Sequence, residues 1–345
     1  GVVSIDNIKH VEVADILGRD SVEPNINLLE KNISEKNILI TGAGGSIGSE
    51  LSRQIMKFSP KKVVLMDNSE YNLYNIHLEL TGKHPYLDVV PSLCTVTNYY
   101  QLKQIIDEKN IQTIYHAAAY KHVPMVEMNI ISGTYNNVVG TYNVAKVADE
   151  LGVNNMVLVS TDKAVRPTNV MGASKRMSEL ILQAFSDNSD CCFSMVRFGN
   201  VLDSAGSVVP LFRGQIKEGG PVTVTHRSIT RYFMSIPEAV ELVLQSGAMA
   251  KGGDVFVLDM GEPIKIIDLA YKMIHLSGLI PIDNENPDGD IRIEVTGLRP
   301  GEKLYEELLI GSDVFQSEHP RIMQAKETKL SLSTVLHCVD VIKSA

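Results

Sequence analysis

The chain has 345 residues, of which 44% are hydrophobic, and its 32 lysines and arginines against 41 aspartates and glutamates give a formal net charge of −9. This length suits one large α/β domain or two closely joined ones, and a mildly acidic chain without a long basic run is not typical of a nucleic-acid-binding protein. No run approaches the ~18 apolar residues that span a bilayer, and no signal segment opens the chain. The sequence as given therefore predicts a protein of soluble, cytoplasmic type.

Apolar runs alternate with helically spaced segments between residues 37 and 200. The runs predict buried strands at 37–41, 62–67, 113–116, 155–160 and 193–197. The helical spacing predicts helices at 46–58, 71–80, 101–109, 132–151 and 170–186. Because strand and helix alternate without a hairpin signal, the fold class predicted is α/β, a doubly wound parallel sheet of the Rossmann type with helices on both faces.

After Asn200 the regular alternation of strand and helix patterns ends, and glycine and proline become frequent. A helix at 237–249 and a strand at 254–259 are predicted to return to the main sheet, and 264–276 is predicted as a further helix. The resulting division has four parts: an N-terminal arm, 1–36; a dinucleotide-binding domain, 37–200 plus 236–259; a smaller α/β substrate-binding lobe, 201–235 plus 260–325; and a C-terminal tail, 326–345.

The four cysteines show neither a C-x-x-C spacing nor a zinc-ligand spacing. Cys191 and Cys192 stand in an apolar run that is typical of a strand. His337 is adjacent to Cys338, but two adjacent residues alone do not make a metal site. These patterns indicate small core residues in a reducing compartment, and they predict neither a disulfide framework nor a metal site.

Three glycines, Gly42, Gly45 and Gly48, stand between the first predicted strand and its helix. Residues without side chains permit a tight turn and let the backbone approach a pyrophosphate, which the helix N-terminus attracts. Asp67 closes the second strand, where a carboxylate would accept from ribose hydroxyls and repel a 2′-phosphate. The pattern favours NAD over NADP, although Asp67 could also be an ordinary solvated strand end.

Further residues are placed at the same site by their position in the pattern. Small residues follow His116 at the end of a later strand and would let a dinucleotide cross the sheet edge, and one asparagine lies on the next helix, where it could also be a simple polar residue. The residues predicted to hold the cofactor, besides the three glycines and Asp67, are Ser46, Ile47, Asn68, Ala117, Ala118 and Asn137.

A hydroxyl, a carboxyl and an amine follow one another in Thr161-Asp162-Lys163, directly after the predicted strand 155–160. Ligands of open α/β sheets bind at the carboxyl ends of the strands, so acid–base chemistry is predicted there. In isolation the same three residues could form a loop with an Asx turn and a solvated lysine.

These motifs resemble the extended short-chain dehydrogenase/reductases, and more narrowly the large bacterial UDP-N-acetylglucosamine 4,6-dehydratases of surface-glycan and protein-glycosylation pathways. The narrower resemblance is carried by residues 116–124, 160–176 and 298–303, and it extends from about residue 10 to about residue 325. Lys175 matches the lysine of the family's Tyr-x-x-x-Lys pair, but Met171 replaces the tyrosine. That replacement is typical of the membrane-anchored branch, so the resemblance implies a piece of a larger protein on the cytoplasmic face of the inner membrane.

The resemblance implies an internal redox cycle in which hydride passes from C4 of the sugar to NAD and returns to C6 after water is eliminated across C5 and C6. It makes Asp162 the acid at the C6 hydroxyl and Lys163 the base at C5, with Thr161 hydrogen-bonded to the C4 hydroxyl. Lys175 is expected to hold the nicotinamide ribose, and as a nearby cation to favour the neutral form of Lys163.

A thioether cannot act as a base, so the group that deprotonates the C4 hydroxyl is left open by Met171. The hypothesis is that Asp162 or Lys163 does so through Thr161, while Met171 either marks this altered chemistry or simply fills a gap in the core. The resemblance also favours retention of the C5 configuration.

The nucleotide half of the substrate is predicted to bind mainly in the smaller lobe. Arg231 and Arg299 are predicted to bind the diphosphate, although either could form an ordinary surface ion pair. A helix start at Ser207 could cradle phosphate, and a short strand near Thr223 could read uracil. The remaining residues predicted to bind substrate are Lys121, His122, Asn200, Val208, Gln215 and Glu302.

Two other functions fit the same fold. A UDP-sugar 4-epimerase would need no acid at C6 and normally needs the missing tyrosine. A catalytically silent dinucleotide-sensing protein would have no use for Thr161-Asp162-Lys163. A homo-oligomer is expected, because members of the family often pair through the long helices, which are residues 132–151 and 170–186 here.

Overall fold

The computed structural model describes residues 22–307 and 314–345. The predicted N-terminal arm therefore lies outside the described residues as far as residue 21. The chain divides into two compact units. In the described part, the larger unit comprises residues 23–198, 237–259 and 314–345, and the smaller comprises residue 22 and residues 199–236 and 260–307.

The strands are numbered in chain order over the described residues. They are β1 Asn37–Thr41, β2 Lys62–Asp67, β3 Asp88–Leu93, β4 Thr113–His116, β5 Asn155–Val159, β6 Cys192–Arg197, β7 Asn200–Val201, β8 Val222–Val224, β9 Thr230–Arg231, β10 Phe233–Met234, β11 Asp254–Leu258, β12 Ile264–Lys265, β13 Pro281–Ile282, β14 Ile291–Val295, β15 Val314–Gln316 and β16 Ile322–Ala325.

The helices are numbered in the same way. They are α1 Ile26–Lys31, α2 Ser46–Ile55, α3 Glu70–Lys83, α4 Tyr99–Glu108, α5 Val123–Met128, α6 Ile130–Thr134, α7 Gly140–Glu150, α8 Val170–Ser186, α9 Val208–Lys217, α10 Ile236–Met249, α11 Ile266–Leu276 and α12 Leu332–Ser344. No helix among the described residues is both long enough and apolar enough to cross a bilayer.

A nine-stranded sheet forms the centre of the larger unit, in the order β15-β16-β11-β6-β5-β4-β1-β2-β3. The seven strands from β11 to β3 are parallel, and β15 and β16 add an antiparallel edge. Every residue of β1 is buried, as expected for a central strand covered on both faces. The predicted doubly wound Rossmann fold is confirmed. In the described structure α10 lies in the larger unit, and β11 pairs with β6 in its sheet.

The described structure differs from the predicted division of the chain in three places. α1 and the residues after it belong to the larger unit, where Ile33 is fully buried and the Asn32 amide donates to the Gly247 carbonyl. β15 and β16 pair with the large sheet rather than with the smaller lobe. The C-terminal tail forms α12, whose Val335 and Val339 are fully buried in the core with residues of α7 and α8. Strands as short as β15 and β16, and helices with few buried apolar residues such as α1 and α12, show too weak a pattern to be assigned to a unit from the sequence.

The predicted helix 132–151 is interrupted. It consists of α6, a π-helical segment Tyr135–Val139 and α7. Four residues of the π segment are buried, Asn136 and Asn137 among them. A π segment inserts one residue into the helical repeat, so the helix presents both asparagines to the interior of the unit.

The smaller unit has its own core. A three-stranded sheet, β13-β14-β8, packs with α9 and α11. Val209, Phe212, Val222, Ala270 and Ile274 are fully buried there. This unit carries most of the residues predicted to bind the nucleotide half of the substrate.

Candidate active site

The glycine turn between β1 and α2 leaves no room for side chains. Gly42 has a φ of 68°, and a Cβ on it would lie 2.8 Å from the Ala118 Cα. A Cβ on Gly48 would lie 1.9 Å from the Gly42 carbonyl oxygen. The N-cap of α2 is Gly45, which has no side chain to cap the helix. The turn therefore leaves space for a phosphate at the N-terminus of α2, where the backbone N–H groups of Ser46 and Ile47 would suit its oxygens.

Asp67 ends β2 beside this turn. Its carboxylate accepts from the Gly44 N–H at 2.9 Å and from the Ser69 N–H at 2.8 Å. It lines a cavity of about 180 Å³ together with Gly42, Asn68 and Ala118. A fixed carboxylate in a cavity next to a phosphate cradle fits the adenosine half of a dinucleotide without a 2′-phosphate.

A second cavity of about 490 Å³ opens from the same turn. Its walls are the start of α2 on one side and the segment after β4, with α5 and α6, on the other. Lys121 and His122 line it. Desolvation lowers the pKa of Lys121, as does the nearby Lys163 ammonium, and the pKa of His122 is lowered by desolvation and by Lys121. Lys121 is thus a cation close to Lys163. From the sequence, Lys121 was predicted only to bind substrate.

Thr161, Asp162 and Lys163 form one hydrogen-bonded cluster at the carboxyl end of β5. The Asp162 Oδ1 accepts from the Thr161 hydroxyl at 2.9 Å and from the Lys163 Nζ at 3.1 Å. Asp162 is 2% exposed. Its N–H donates to the Phe198 carbonyl at 3.1 Å, which fixes the turn against the end of β6. An acid, an amine and a hydroxyl are thereby held within proton-transfer distance of one another.

The first turn of α8 packs directly on this cluster, a contact that sequence reasoning missed. A Cβ on Gly172 would lie 2.2 Å from the Lys163 carbonyl oxygen. The helix start is fixed by the Asn169 side chain, which accepts from the Gly172 N–H at 2.8 Å, and by the Glu127 carboxylate, which accepts from the Val170 N–H at 2.7 Å. Met171 is 2% exposed and belongs to the buried face of α8.

Lys175 is buried on the next turn of α8. Its Nζ donates to the Val159 carbonyl at 2.7 Å, at the end of β5. Burial lowers the pKa of Lys175 to about 8, and the Glu179 carboxylate acts in the opposite direction. The structure therefore places Lys175 beside the strand that carries Thr161-Asp162-Lys163, in reach of the same region of the sheet.

Asn137 and His116 belong to a buried polar network beneath the second cavity. The Asn137 side chain accepts from the Tyr120 N–H at 2.8 Å and donates to the Tyr120 carbonyl and to Ser174 at 3.0 Å each. His116 lies between Thr41 at 2.6 Å and Thr141 at 3.0 Å. In the described structure the Asn137 amide therefore holds the backbone of the cavity wall, a role that its sequence position did not indicate.

The other predicted substrate-binding residues lie together in the smaller unit. The Arg231 guanidinium contacts Glu302 at 3.3 Å and Glu306 at 3.2 Å, and Asn200 donates to Glu306 at 3.1 Å. The Glu302 carboxylate also accepts from the Arg299 N–H at 3.1 Å. The sequence did not indicate that the two acids would pair with Arg231.

Two further predicted positions lie around α9. The Gln215 amide donates to the Thr223 hydroxyl at 2.7 Å, which ties α9 to β8. Ser207 is the N-cap of α9, which begins at Val208. The Ser207 Oγ is buried, and no hydrogen-bond partner for it occurs among the described residues. A buried hydroxyl at a helix N-terminus would suit a phosphate oxygen. No cluster of metal-ligating side chains occurs in the described ranges.

The sequence was compared with known proteins. A family model described as "Polysaccharide biosynthesis protein" matches residues 38–327. The capsular polysaccharide biosynthesis protein CapD of Staphylococcus aureus is 50% identical over 94% of this chain and 53% of its own length. A UDP-glucose 4-epimerase of Rickettsia rickettsii is 32% identical, covering 83% and 81%. A UDP-N-acetylglucosamine 4,6-dehydratase (inverting) of Campylobacter jejuni is 30% identical, covering 81% and 79%. The chain thus spans about half the length of CapD.

The chain is also similar to solved structures, among them two from Bacillus and Streptomyces. Pen from Bacillus thuringiensis matches with a TM-score of 0.76 and 33% identity, covering 87% of this chain and 90% of that one. The dTDP-glucose 4,6-dehydratase DesIV of Streptomyces venezuelae, solved with NAD bound, matches with a TM-score of 0.68 and 20% identity, covering 89% and 97%. The second likeness is a likeness of fold.

Proposed function

The chain belongs to the polysaccharide biosynthesis protein family and to the extended short-chain dehydrogenase/reductases, and we propose that it is an NAD-dependent UDP-N-acetylglucosamine 4,6-dehydratase that retains the C5 configuration. The observation that carries the proposal is the cluster of Thr161, Asp162 and Lys163, in which Asp162 Oδ1 lies 2.9 Å from a hydroxyl and 3.1 Å from an amine. A dehydratase needs an acid and a base at adjacent carbons, and few other reactions of this fold do.

NAD fits the glycine turn and Asp67. The N–H groups after Gly45 would hold its pyrophosphate, and Asp67 its adenosine ribose; Lys175 would bind the nicotinamide ribose. Bound NAD supplies hydride acceptance from C4 and hydride return to C6, with no net oxidation of the sugar.

The cluster can account for every proton in the reaction. Thr161 would take the C4 hydroxyl proton and pass its own to Asp162, since the Thr161 hydroxyl already donates to that carboxylate. Lys163 would remove the C5 proton, and Asp162 would then protonate the C6 hydroxyl, which leaves as water. The same Lys163 would return its proton to C5 as hydride reaches C6. Because one group removes and returns the C5 proton on one face, the configuration is retained.

This scheme assigns the C4 base without the tyrosine that Met171 replaces. Lys163 would have to be neutral when it removes the C5 proton, and Lys121 is a cation close to it. Met171, buried on the inner face of α8, would contribute packing only.

The nucleotide half is proposed to bind in the smaller unit. The start of α9 at Ser207 and Val208, with Arg231 and Arg299, would bind the diphosphate. Glu302 would bind the uridine ribose, and Gln215 and Thr223 would lie beside the uracil. Lys121, His122 and Asn200 would contact the sugar and the diphosphate next to it.

The direct test is incubation with UDP-N-acetylglucosamine and NAD, followed by mass spectrometry. Loss of one water is expected. Single-turnover NADH formation should fall in Asp162→Asn. Lys163→Ala should still form NADH, since Lys163 acts at C5, but it should not release water. Asp187→Asn, at a half-exposed carboxylate beyond α8, should behave as the wild type. Normal C4 oxidation in Asp162→Asn, or normal water loss in Lys163→Ala, would refute the proton scheme. Proton NMR in heavy water should show solvent deuterium at C5 and an unchanged C5 configuration.

A UDP-sugar 4-epimerase is the second candidate, favoured by the similarity to the Rickettsia enzyme of that name. It predicts a product of unchanged mass with an altered sugar. A dinucleotide-sensing protein predicts no product at all. Homo-oligomer formation and attachment of a longer parent protein to the cytoplasmic face of the inner membrane stay predictions.

A further inference from the structure

A cluster of charged side chains is buried behind the candidate active site, entirely within the larger unit. Glu179 of α8 and Arg197 of β6 are both 0% exposed. The Arg197 Nε and Nη2 donate to the two oxygens of Glu179 at 2.8 Å and 2.6 Å. Glu327, after β16, accepts from Arg197 at 2.5 Å and pairs with Arg176 at 3.2 Å. Arg176 also donates to Glu179 at 2.9 Å. Two carboxylates are thus balanced by two guanidinium groups.

This cluster touches the elements around Thr161–Lys163. The Ser160 hydroxyl donates to the Glu179 Oε1 at 2.6 Å, and Ser160 directly precedes Thr161. Glu179 lies one helical turn after Lys175 on α8. Arg197 ends β6, and the next residue, Phe198, accepts from the Asp162 N–H. The carboxylate of Glu179 therefore joins β5, β6 and α8 at the point where all three meet the catalytic segment.

Stability alone does not explain such a cluster. Buried ion pairs are often no more stabilising than apolar side chains of the same volume, because the charges lose their hydration. What a fully paired cluster does provide is a fixed geometry for the groups bonded to it. It also provides a fixed negative charge near Lys175.

We propose that Glu179 is a positioning residue for the dehydratase reaction: it holds Ser160, and with it the Thr161–Lys163 turn, and it places a fixed negative charge one helical turn from Lys175. The inference rests on the proposed function. It assigns Glu179 no contact with substrate or cofactor, since its side chain is buried among Ser160, Arg176 and Arg197.

The electrostatics support the second half of this role. Burial would raise the pKa of Glu179, but the bonds and charge of Arg197, with Arg176 and Ser160, lower it, so Glu179 is an anion. Burial lowers the pKa of Lys175, and Glu179 is the group that raises it. His116 on β4 also faces Lys175, but burial, with the Lys175 charge, lowers the pKa of His116 to about 3, so His116 is neutral at working pH.

The test uses the NAD-loaded protein and three variants. Glu179→Gln keeps the shape and removes the charge, and Ser160→Ala removes only the hydroxyl. Glu79→Gln is the matched control, because Glu79 pairs with Arg53 through the same two-bond geometry, at 2.9 Å each, on α3 in the same unit. We expect kcat to fall about 10- to 100-fold in Glu179→Gln and less in Ser160→Ala, with KM changing less than about threefold. The control should keep its kcat.

Two pH readouts separate positioning from general loss of structure. If Lys175 must be charged, activity falls as pH rises through its pKa, and this limb should move to lower pH in Glu179→Gln but not in Ser160→Ala. The pH dependence of Lys175 acetylation, followed by mass spectrometry, should move in the same direction, and it requires no turnover. If Glu179→Gln does not fold, Ser160→Ala still tests the placement of the turn through kcat alone.

The outcomes are distinguishable. If the wild type removes no water, the proposed function fails, and the acetylation midpoint alone then decides whether Glu179 sets the charge of Lys175. If the wild type is active but Glu179→Gln keeps its kcat, its pH limb and its acetylation midpoint, the positioning role is overturned. A normal kcat in Ser160→Ala would overturn the role of the Ser160 bond.

Discussion

Replacing Gly172 by alanine should damage catalysis by moving Lys163. The added Cβ would lie 2.2 Å from the Lys163 carbonyl oxygen, 3.1 Å from its carbonyl carbon and 3.2 Å from the Pro167 Cβ. Real Cβ contacts essentially never fall below 3.0 Å. The helix start and the Lys163 backbone must therefore separate by about 0.8 Å, and displacements of about 1 Å at a reacting group cost roughly 100-fold in rate.

The expected loss in kcat corresponds to about 2.7 kcal/mol of transition-state stabilisation. NAD should still bind, because the glycine turn before α2 and Asp67 of β2 would hold its pyrophosphate and adenosine, and of the proposed cofactor contacts only Lys175 lies on α8. The assay is the initial rate of water loss from UDP-N-acetylglucosamine at saturating NAD, with the NAD dissociation constant measured separately by calorimetry.

Gly82→Ala is the matched control. Gly82 lies within α3, and its Cβ would meet nothing within 4 Å. Alanine in a helix is favoured over glycine by about 1 kcal/mol, so this variant should be as active as the wild type and slightly more stable. A Gly172→Ala protein that folds, binds NAD and keeps the wild-type kcat would refute the reasoning, because the Lys163 backbone would then tolerate the displacement.

Three other outcomes are expected. Gly48→Ala should raise the NAD dissociation constant at least about tenfold in equilibrium titration, because its Cβ would lie 1.9 Å from the Gly42 oxygen inside the phosphate cradle. An unchanged dissociation constant would contradict the assignment of the glycine turn as the phosphate site. Asp67→Ala should weaken NAD binding by about tenfold and reduce the preference over NADP, measured as the ratio of the two dissociation constants. His116, whose pKa burial lowers to about 3, binds its proton only in the unfolded chain between that pH and about 6.5. Urea-unfolding stability should therefore fall as pH drops through this window, by about 1.4 kcal/mol per pH unit from this residue, and His116→Asn should show a flatter slope.

The sequence predicted the parts of the fold whose pattern is local. β1 and β2 are short strands with apolar centres that end at a glycine turn and at Asp67, and such strands are typical of parallel sheets covered on both faces. The position of Thr161–Lys163 was predictable for the same reason, since a polar triplet directly after a buried strand lies at the ligand-binding edge of the sheet.

The contacts that were missed join residues far apart in the chain or depend on close packing. Arg197 and Glu327 are 130 residues apart, and nothing in either local sequence indicates the pair. From the sequence, Gly172 is only a residue of low helix propensity. Helical periodicity does not indicate that it packs against the Lys163 carbonyl oxygen. Arg231 was expected to be available to a diphosphate, but the loop that brings Glu302 and Glu306 to it has no periodic pattern to place it.

The surplus residue in the helix at 135–139 has a consequence for the chain's tolerance of length changes. Deleting one residue there would return the segment to the regular repeat of 3.6 residues per turn. Asn136 and Asn137 would then no longer both face the interior, and the bonds from Asn137 to the Tyr120 backbone would be lost. Single-residue deletions are normally least harmful in loops. In a deletion scan of this chain, the buried helix at 135–139 should instead tolerate no loss of a residue. Most point substitutions on its outer face should leave the fold intact.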